Sequence, residues 1–528
     1  MSNVQVLFYI VIFACLSFVY AKNALHMFQQ ARYELRRYNK WLFNKNNLHF
    51  SNVFIYLLFE LVLFLLNKFN IIKSNAVCII INLLVSIGFA IYAIRKEENK
   101  VYVKELVLTN RVKRQIVAYS ILIVLSIYLL TKLNNIYLLG ILSIYMPYVL
   151  IYPMAIITLP IEEGIKKHYE NEARNKLDSL DSLIKVGITG SFGKTSTKNI
   201  VNDIISDHFF TLITPASYNT PMGITRTVRG DLKPIHDVFV CEMGADKVND
   251  IAYLMDFVKP KYGIVTSIGP QHLATFKSME NIINEKMQEI EMLPSDGVGF
   301  INLDNKYIRD YYIENDCKIV SVGIVNENAT YVAKNIKYSN SGTSFTVNIN
   351  GKNHKFNTCL LGQHNITNIL LGIALAIELG VDIKDLKNSV EHINQVEHRL
   401  EVKKINDYTF IDDAFNSNPV GSKMALDVLS TMSGKRVIVT PGMIDLGKIQ
   451  DKENYEFGKY MLNRADVVLL VGEKQTKPIY KGLKDVGFDM ENVLVFTNVK
   501  QAFNYIYSKC SKTDTILLEN DLPDAFNV

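Results

Sequence analysis

The chain has 528 residues, enough for two or three domains, and 49% of them are hydrophobic. Its charge divides sharply, because residues 1–160 carry 16 Lys and Arg against 5 Glu and no Asp, whereas the remainder carries 41 basic and 47 acidic residues. The basic excess therefore belongs to the N-terminal part, and the pattern does not indicate a nucleic-acid partner.

Long apolar runs dominate the first 160 residues. A signal peptide is disfavoured for the first run, because no basic residue precedes it and no clear small-residue cleavage site follows it. Each run is about long enough to cross a bilayer as a helix. We therefore expect a transmembrane domain of about five helices over residues 1–160, with spans near 4–20, 52–67, 76–94, 116–131 and 136–159.

The loops between these spans predict their orientation. Loop 21–51 carries six Lys and Arg and loop 95–115 carries seven, whereas loops 68–75 and 132–135 carry two and one. The positive-inside rule places the two basic loops in the cytoplasm. The sequence thus predicts a multi-pass protein of a bacterial cell membrane, with everything after residue 160 in the cytoplasm.

Glu60 lies in the middle of the second predicted span. An ionisable group at that depth is a functional candidate. Pairing with a polar neighbour such as Asn82 is an equally good explanation.

The remaining sequence divides into three parts. Residues 161–183 are polar with helical spacing, and we expect an amphipathic linker helix without chemistry of its own. Strand and helix patterns alternate over 184–398, apart from a short antiparallel excursion at 330–357. Residues 399–528 predict a further open parallel sheet with five strands, near 409–411, 436–439, 467–470, 493–496 and 515–518.

A glycine-rich turn at 187–196 is the most informative stretch of the chain. A buried strand precedes it and an amphipathic helix follows it, which is the setting in which backbone N–H groups bind phosphate. Lys194 would contact the terminal phosphates and the Thr195 hydroxyl would hold Mg²⁺. A chance match is the alternative, and Ile188 does replace the first glycine of the usual phosphate-loop pattern.

Two polar residues follow buried strands. Glu242 comes directly after residues 238–241, and His272 comes shortly after residues 262–267. Because ligands bind at the carboxyl ends of strands in α/β sheets, these side chains suit a Mg²⁺ site beside the phosphate loop. Each one alone is more often an ordinary loop residue.

These motifs, in this order, resemble the Mur ligase superfamily, and most closely its D-alanyl-D-alanine-adding type (MurF). The resemblance covers about residues 184–528 and implies an α/β fold, with a central phosphate-loop ATPase domain and a Rossmann-like C-terminal domain behind the transmembrane domain. It implies ATP-binding residues Gly190, Ser191, Gly193, Lys194, Thr195, Ser196, His364, Asn365, Asn368, Arg399 and Asp413. It implies substrate contacts at Asn219, Thr220, Asn416 and Asn418.

The resemblance also implies the chemistry. A carboxylate would attack the γ-phosphate of ATP to give an acyl phosphate, which an amine would then convert to an amide. Lys194, Glu242, His272 and Lys286 would be the catalytic residues. Lys286 lies where the family carries a carbamylated lysine, and with Thr195, Glu242 and His272 it would hold Mg²⁺. The alternative roles are an exposed helical lysine for Lys286 and helix capping for Asn365.

The sequence also departs from the family pattern. A membrane domain stands in place of the family's UDP-sugar-binding domain, and Phe192 replaces the usual asparagine or serine. Residues 518–524 replace a stretch that usually contains lysine and arginine, and Pro441-Gly442-Met443 replaces a common aspartate–methionine pair. The catalytic residues are retained, while the parts that recognise substrate differ.

Two substrate pairs therefore compete for this ligase. One is a muramoyl tripeptide with D-alanyl-D-alanine, which the overall sequence likeness favours. The other is a carboxylate on a lipid-linked or capsular glycan with an amino acid or amine, which the missing UDP-sugar domain favours. An ATP-driven transporter and a catalytically inactive scaffold are further alternatives, but neither would need Glu242, His272 and Lys286 together.

Overall fold

The structure is a computed structural model, and it describes residues 3–43, 55, 58–59, 61–63, 65–66, 68–69, 75–98, 105–131, 136–216, 218–271, 273–339, 342–395, 400–414, 419–444, 446 and 449–520. The chain forms two compact units, Met1–His168 and Tyr169–Val528. Glu60 lies outside the described residues.

The first unit is helical. Its core is aromatic and aliphatic and includes Phe28, Tyr38, Ile123 and Ile151. Four of the five predicted apolar runs lie in helices, and the run at 52–67 falls largely outside the described residues. The helices are α1 (Asn3–Gln30), α2 (Leu35–Leu42), α3 (Asn75–Glu98), α4 (Asn110–Thr131) and α5 (Ile136–Asp178).

Two helical segments in the described part of the chain are long and apolar enough to cross a bilayer, Asn110–Leu129 and Tyr145–Asp178. Helix α5 has 43 residues and contains three prolines. It joins the predicted fifth span and the predicted linker in one continuous helix.

A nine-stranded sheet forms the centre of the second unit, in the order β2-β3-β1-β4-β5-β6-β7-β8-β9. Pairing is parallel from β2 to β7 and antiparallel between β7, β8 and β9, which confirms the predicted excursion at 330–357. The strands are β1 (Ile184–Thr189), β2 (Thr211–Ile213), β3 (Val238–Glu242), β4 (Tyr262–Val265), β5 (Val298–Asn302), β6 (Lys318–Gly323), β7 (Tyr331–Ser339), β8 (Gly342–Ile349) and β9 (Lys352–Thr358).

Helices pack on this sheet through apolar faces at helical spacing. On one face, Ile200 and Ile204 pack with Leu371 of a second helix. On the other face, Val228, Leu254 and Ile290 form a separate core. The helices are α6 (Lys194–Ile205), α7 (Pro221–Gly230), α8 (Asp250–Val258), α9 (Leu273–Phe276), α10 (Met279–Glu291), α11 (Lys306–Arg309), α12 (Gln363–Glu378) and α13 (Ile383–Glu391).

The C-terminal part forms a six-stranded sheet in the order β10-β11-β15-β12-β13-β14. All five predicted strands are present and parallel, and the additional strand β10 pairs antiparallel at one edge. The strands are β10 (Glu401–Ile405), β11 (Tyr408–Asp413), β12 (Arg436–Thr440), β13 (Val467–Val471), β14 (Val493–Phe496) and β15 (Thr515–Glu519). Between them lie α14 (Pro419–Ser430), α15 (Gln450–Tyr460), α16 (Lys477–Asp485) and α17 (Val499–Lys509).

Strand order decides where the candidate site lies. Strands β3, β1 and β4 are neighbours and run parallel. Their carboxyl ends therefore meet at one edge, which brings together the phosphate loop after β1, Glu242 at the end of β3 and the segment after β4.

Glu289 on α10 is a fully buried carboxyl group beneath β1. A Cβ atom at Gly187 would lie 1.9 Å from its Oε1, so the glycine leaves room for the carboxyl group. Neither carboxyl oxygen has a hydrogen-bond partner among the described residues. Burial raises the pKa of Glu289 to about 8, although the nearby charge of Lys286 acts in the opposite direction.

This carboxyl group predicts a pH-dependent stability. Because its folded-state pKa lies above the ordinary value of 4.5, the fold keeps a proton that the unfolded chain releases between about pH 4.5 and 8. Wild-type stability should therefore fall as the pH rises through this window. We expect Glu289→Gln to change unfolding little at pH 5 and to stabilise the protein by about 3–5 kcal/mol at pH 8, measured by thermal unfolding in detergent.

The matched control is Glu280→Gln, an exposed glutamate on the same helix. Its stability should change with pH as that of wild type does. If the stability of Glu289→Gln changed with pH in parallel with that of wild type, Glu289 would be ionised in the folded protein.

Candidate functional site

The phosphate loop requires glycine at two positions. Gly193 has a φ of +83° and is the N-cap residue of α6. Gly190 has a φ of +150°, and a Cβ atom there would lie 2.1 Å from Oγ1 of Thr266. A residue other than glycine is therefore excluded at position 190, both by the backbone conformation and by the lack of space for a Cβ atom.

The segment after β4 braces this loop. The backbone N–H of Ser191 donates to the Ser267 carbonyl at 2.7 Å, and the Ser191 hydroxyl donates to the Gly269 carbonyl at 3.0 Å. The ring of Phe192 packs against Gly269, where a Cβ atom would come within 2.7 Å of it. The Ser191 side chain thus stabilises the loop, and the Phe192 ring fills the space over Gly269.

Lys194 turns back over its own loop. Its Nζ donates to the carbonyls of Gly190 at 2.6 Å and Ser191 at 3.3 Å. Thr195 and Ser196 follow in the first turn of α6, where backbone N–H groups have no partner within the helix. Amide groups at a helix N-terminus with a lysine beside them form a phosphate-binding cradle.

Glu242 is buried at the end of β3 and is held by two side chains. Its Oε1 accepts a hydrogen bond from Nδ2 of Asn219 at 2.9 Å, and its Oε2 lies 3.4 Å from Nζ of Lys198. The Lys198 ammonium also donates to the carbonyls of Thr214 at 2.7 Å and Ala216 at 2.8 Å. Glu242 and Lys198 therefore form a buried ion pair that joins α6 to β3.

The sequence analysis did not predict a role for Lys198. The position of Lys198 in the sequence indicates burial, because it lies three residues before Val201 and seven before Ile205, on the apolar face of α6. A lysine on such a face needs an acidic partner or hydrogen bonds when it is buried.

Asn219 and Thr220, predicted to contact substrate, make structural contacts here. The Asn219 amide holds Glu242, and its carbonyl accepts from the backbone N–H of Gly244 at 2.8 Å. The Thr220 hydroxyl caps α7 by accepting from the N–H of Gly223 at 3.4 Å. Both residues therefore position the elements around Glu242.

Lys286 is buried on α10. Its neighbour Glu285 fixes the helix by accepting hydrogen bonds from the N–H groups of Asn249 at 2.7 Å and Ile251 at 2.6 Å, at the start of α8. Burial, and then the nearby charge of Lys194, lower the pKa of Lys286 to about 7. The fold thus buries the amine of Lys286, within reach of the electrostatic effect of the phosphate-loop lysine, and makes its neutral form accessible near neutral pH.

Helix α12 brings the predicted adenine-side residues toward the loop. A Cβ atom at Gly193 would lie 3.2 Å from Oδ1 of Asn368, whose Nδ2 is buried without a hydrogen-bond partner among the described residues. Nδ2 of Asn365 donates to the Leu361 carbonyl at 2.8 Å, in the segment just before the helix. His364 lies beside Gly362 at the start of the helix.

Only part of the predicted site can be placed. Asp413 ends β11, and its Oδ1 accepts from the N–H of Leu400 at 3.1 Å. The described residues contain no group of three His, Cys, Asp or Glu side chains arranged for a metal. The predicted residues His272, Arg399, Asn416 and Asn418 lie outside the described residues.

Comparison with protein families gives two matches. Residues 188–376 match the Mur ligase middle domain, and residues 398–519 match the Mur ligase glutamate ligase domain. Together the two matches cover more than half of the chain. The chain belongs to the Mur ligase family.

Individual Mur ligases agree with this assignment. The chain is 29% identical over 264 residues to the UDP-N-acetylmuramoyl-tripeptide–D-alanyl-D-alanine ligase of Buchnera aphidicola, covering 50% of this chain and 57% of that protein. It is 27% identical over 351 residues to the ligase of that name from Bacillus subtilis, covering 66% of this chain and 75% of the relative. This Mur ligase thus spans little more than half of one relative and three quarters of the other.

Solved structures show the same fold. The MurF ligase of Thermotoga maritima in complex with ADP superposes with a TM-score of 0.60 at 23% identity, covering 67% of this chain and 80% of that one.

The buried ion pair of this Mur ligase predicts a stability effect. Lys198→Met should destabilise the protein by about 3–5 kcal/mol, because it leaves the carboxylate of Glu242 buried without its cation. Thermal unfolding of the purified protein measures the loss.

The double variant Lys198→Met/Glu242→Gln is the control, because it removes both charges. It should regain much of the lost stability. Equal losses in the single and double variants would mean that the unpaired charge of Glu242 is not the cause of the loss.

Proposed function

We propose that this Mur ligase is an ADP-forming amide ligase that activates a carboxylate with ATP and joins it to an amine. By likeness to its named relatives, the substrates are a muramoyl tripeptide and D-alanyl-D-alanine, in peptidoglycan precursor synthesis. One observation carries the proposal: the glycine-rich loop with Lys194 opens α6 at the same edge of the sheet where the buried carboxylate of Glu242 ends β3.

The nucleotide binds at the phosphate loop in this proposal. The amide groups at the start of α6 hold the phosphates, and Lys194 exchanges its contacts with the loop carbonyls for the γ-phosphate. Asn368 stands beside Gly193 with an unused amide group, which supports a contact to the nucleotide.

The residues at this edge fit Mg²⁺ in part. Oε2 of Glu242 is buried without a hydrogen bond among the described residues, and the ammonium of Lys198 lies 3.4 Å from it. Thr195, the residue after Lys194, supplies a hydroxyl oxygen. Oxygen donors of this type are what Mg²⁺ takes in proteins, and when bound it would neutralise phosphate charge. The ion pair with Lys198 would keep Glu242 ionised and fixed.

An unmodified ammonium at Lys286 would repel such a metal, whereas a carbamate would supply an anionic oxygen. The amine attacks carbon dioxide, forms an N–C bond and releases one proton to solvent. Only a neutral amine has the electron pair for this step, and a pKa near 7 provides that form at neutral pH. We therefore propose carbamylation of Lys286, with His272 as the neighbouring ligand.

The reaction must bring two anions together, so catalysis consists mainly of positioning and charge neutralisation. A carboxylate oxygen bonds to the γ-phosphorus and ADP leaves. The amine then bonds to the acyl carbon, loses a proton, and inorganic phosphate leaves. Lys194 offsets the developing phosphate charge in the first step.

The C-terminal domain would complete the site. We propose that Arg399 and Asp413 close over the nucleotide, that His364 and Asn365 flank the adenine, and that Asn416 and Asn418 contact the substrates. The hydrogen bond between Asp413 and the N–H of Leu400 supports a defined position for the start of this domain.

We propose that residues 1–160 anchor the enzyme in a bacterial cell membrane, followed by a linker at 161–183 and catalytic domains at 184–398 and 399–528 in the cytoplasm. The surface of α4 supports this, because Val117, Ile121 and Val124 are each about 60% exposed. Large exposed apolar residues on a long helix are expected where lipid covers them. A position at the membrane would favour a second substrate class, a carboxylate on a lipid-linked or capsular glycan.

The first test concerns ATP turnover. Purified protein should release ADP only with both substrates present, and Lys194→Ala should abolish this release because the γ-phosphate loses its cation. Full ligation by Lys194→Ala would refute the nucleotide site.

The second test concerns Lys286. Lys286→Ala should lower ligation by about 10²–10³-fold, and excess acetate or bicarbonate should restore part of it by replacing the anionic oxygen. Lys277→Ala, at an exposed position nine residues earlier, is the control. Normal ADP release by Lys286→Ala would contradict the carbamate proposal.

The third test concerns the membrane anchor. A reporter fused after residue 135 should lie outside the cytoplasm, and one after residue 183 should lie inside it, because the basic loops are cytoplasmic. A cytoplasmic reporter at residue 135 would contradict the five-span topology.

A further inference from the structure

A cavity of about 730 Å³ lies in the second unit, between α7 and the last turns of α5. Six residues of α7 line it, and Met222, Thr225, Arg226 and Arg229 among them follow helical spacing. The opposite face of α7 carries the fully buried Ile224 and Val228, so the core fixes the orientation of the lining face. Volumes of this size are typical of small-molecule sites.

The cavity carries a net positive charge. Arg229 is paired with Glu172 at 2.8 Å and stacks on the ring of Tyr169 at 3.9 Å. Arg226 donates to the Tyr218 hydroxyl at 3.1 Å, and it forms no ion pair within the described part of the chain. The Arg226 guanidinium therefore remains available to an anionic ligand, beside the rings of Tyr169 and Tyr218.

A second, independent feature of the cavity wall also points to a ligand. Thr225 is only 1% exposed, and its hydroxyl has no hydrogen-bond partner among the described residues. A buried hydroxyl without a partner is costly, and because Thr225 lines the cavity, rotation of its side chain toward a ligand oxygen would remove that cost.

The position of the cavity relates it to the catalytic edge. Thr220 lines the cavity, and the preceding residue, Asn219, holds Glu242. We infer that this cavity binds a phosphate group of the carboxylate-bearing substrate, with Arg226 as the cation that selects it. The inference rests on the ligase function proposed above, and it assigns the site that holds the remote anionic end of that substrate.

This phosphate could belong to a nucleotide-linked or to a lipid-linked substrate. Two probes separate these sources: UDP-N-acetylmuramoyl-tripeptide, and the same muramoyl tripeptide on a polyprenyl diphosphate in detergent. Both are titrated against the full-length protein by calorimetry without ATP, and both are used as acceptors in the ligation assay.

We expect Arg226→Gln to weaken binding and to raise the KM for the preferred acceptor by about 10- to 100-fold, with kcat and the KM values for ATP and the amine unchanged. Thr225→Val, which keeps the shape of the side chain, should raise the same KM by about 3- to 10-fold. Lys233→Gln, an exposed cation just beyond α7 and outside the cavity, should match wild type.

The outcomes separate this inference from the function on which it rests. Binding that depends on Arg226 without ligation would support the cavity and refute the ligase. Ligation with an unchanged acceptor KM in Arg226→Gln, in a variant that melts like wild type, would support the ligase and overturn the cavity assignment. Failure of wild type to bind either probe would also overturn it.

Discussion

The buried ion pair between Lys198 and Glu242 is the contact on which the catalytic edge depends. It fixes the first turns of α6, and with them the phosphate loop, to the end of β3. Asn219 holds the other oxygen of Glu242 and so ties in the turn before α7. A charge pair in this location costs desolvation energy, which its further hydrogen bonds to the carbonyls of Thr214 and Ala216 offset. The result is a rigid support for chemistry between anions.

Burial has a second effect at this edge, because it changes the charge of groups on α10. Lys286 is shifted toward its neutral amine, and Glu289 toward its neutral acid, by the same loss of solvent. The helix is held in place by Glu285, whose carboxylate caps α8. The lowered pKa of the Lys286 amine thus follows from the way α10 packs under the sheet.

Much of the fold was predictable from local pattern. Each of the five parallel strands of the C-terminal sheet contains a short apolar run, and such runs identify strands of a parallel sheet without knowledge of their partners. The phosphate loop was predictable for the same reason, because its glycines and flanking elements are adjacent in sequence.

Tertiary partners were not predictable in this way. Lys198 and Glu289 are charged residue types whose burial depends on Glu242 and Gly187, which are distant along the chain. Asn219 was predicted to contact substrate, and its position beside Glu242 appears only in the fold. The hydrogen bond from the Asn365 amide to the Leu361 carbonyl likewise appears only in the fold.

We propose that a substrate carboxylate is activated as an acyl phosphate at Lys194. The most direct measurement uses an acceptor whose carboxylate carries oxygen-18, with mass spectrometry of the inorganic phosphate released during ligation. The acyl-phosphate route predicts transfer of one labelled oxygen to phosphate for each amide formed. Unlabelled phosphate, formed at the same rate as the amide, would contradict it.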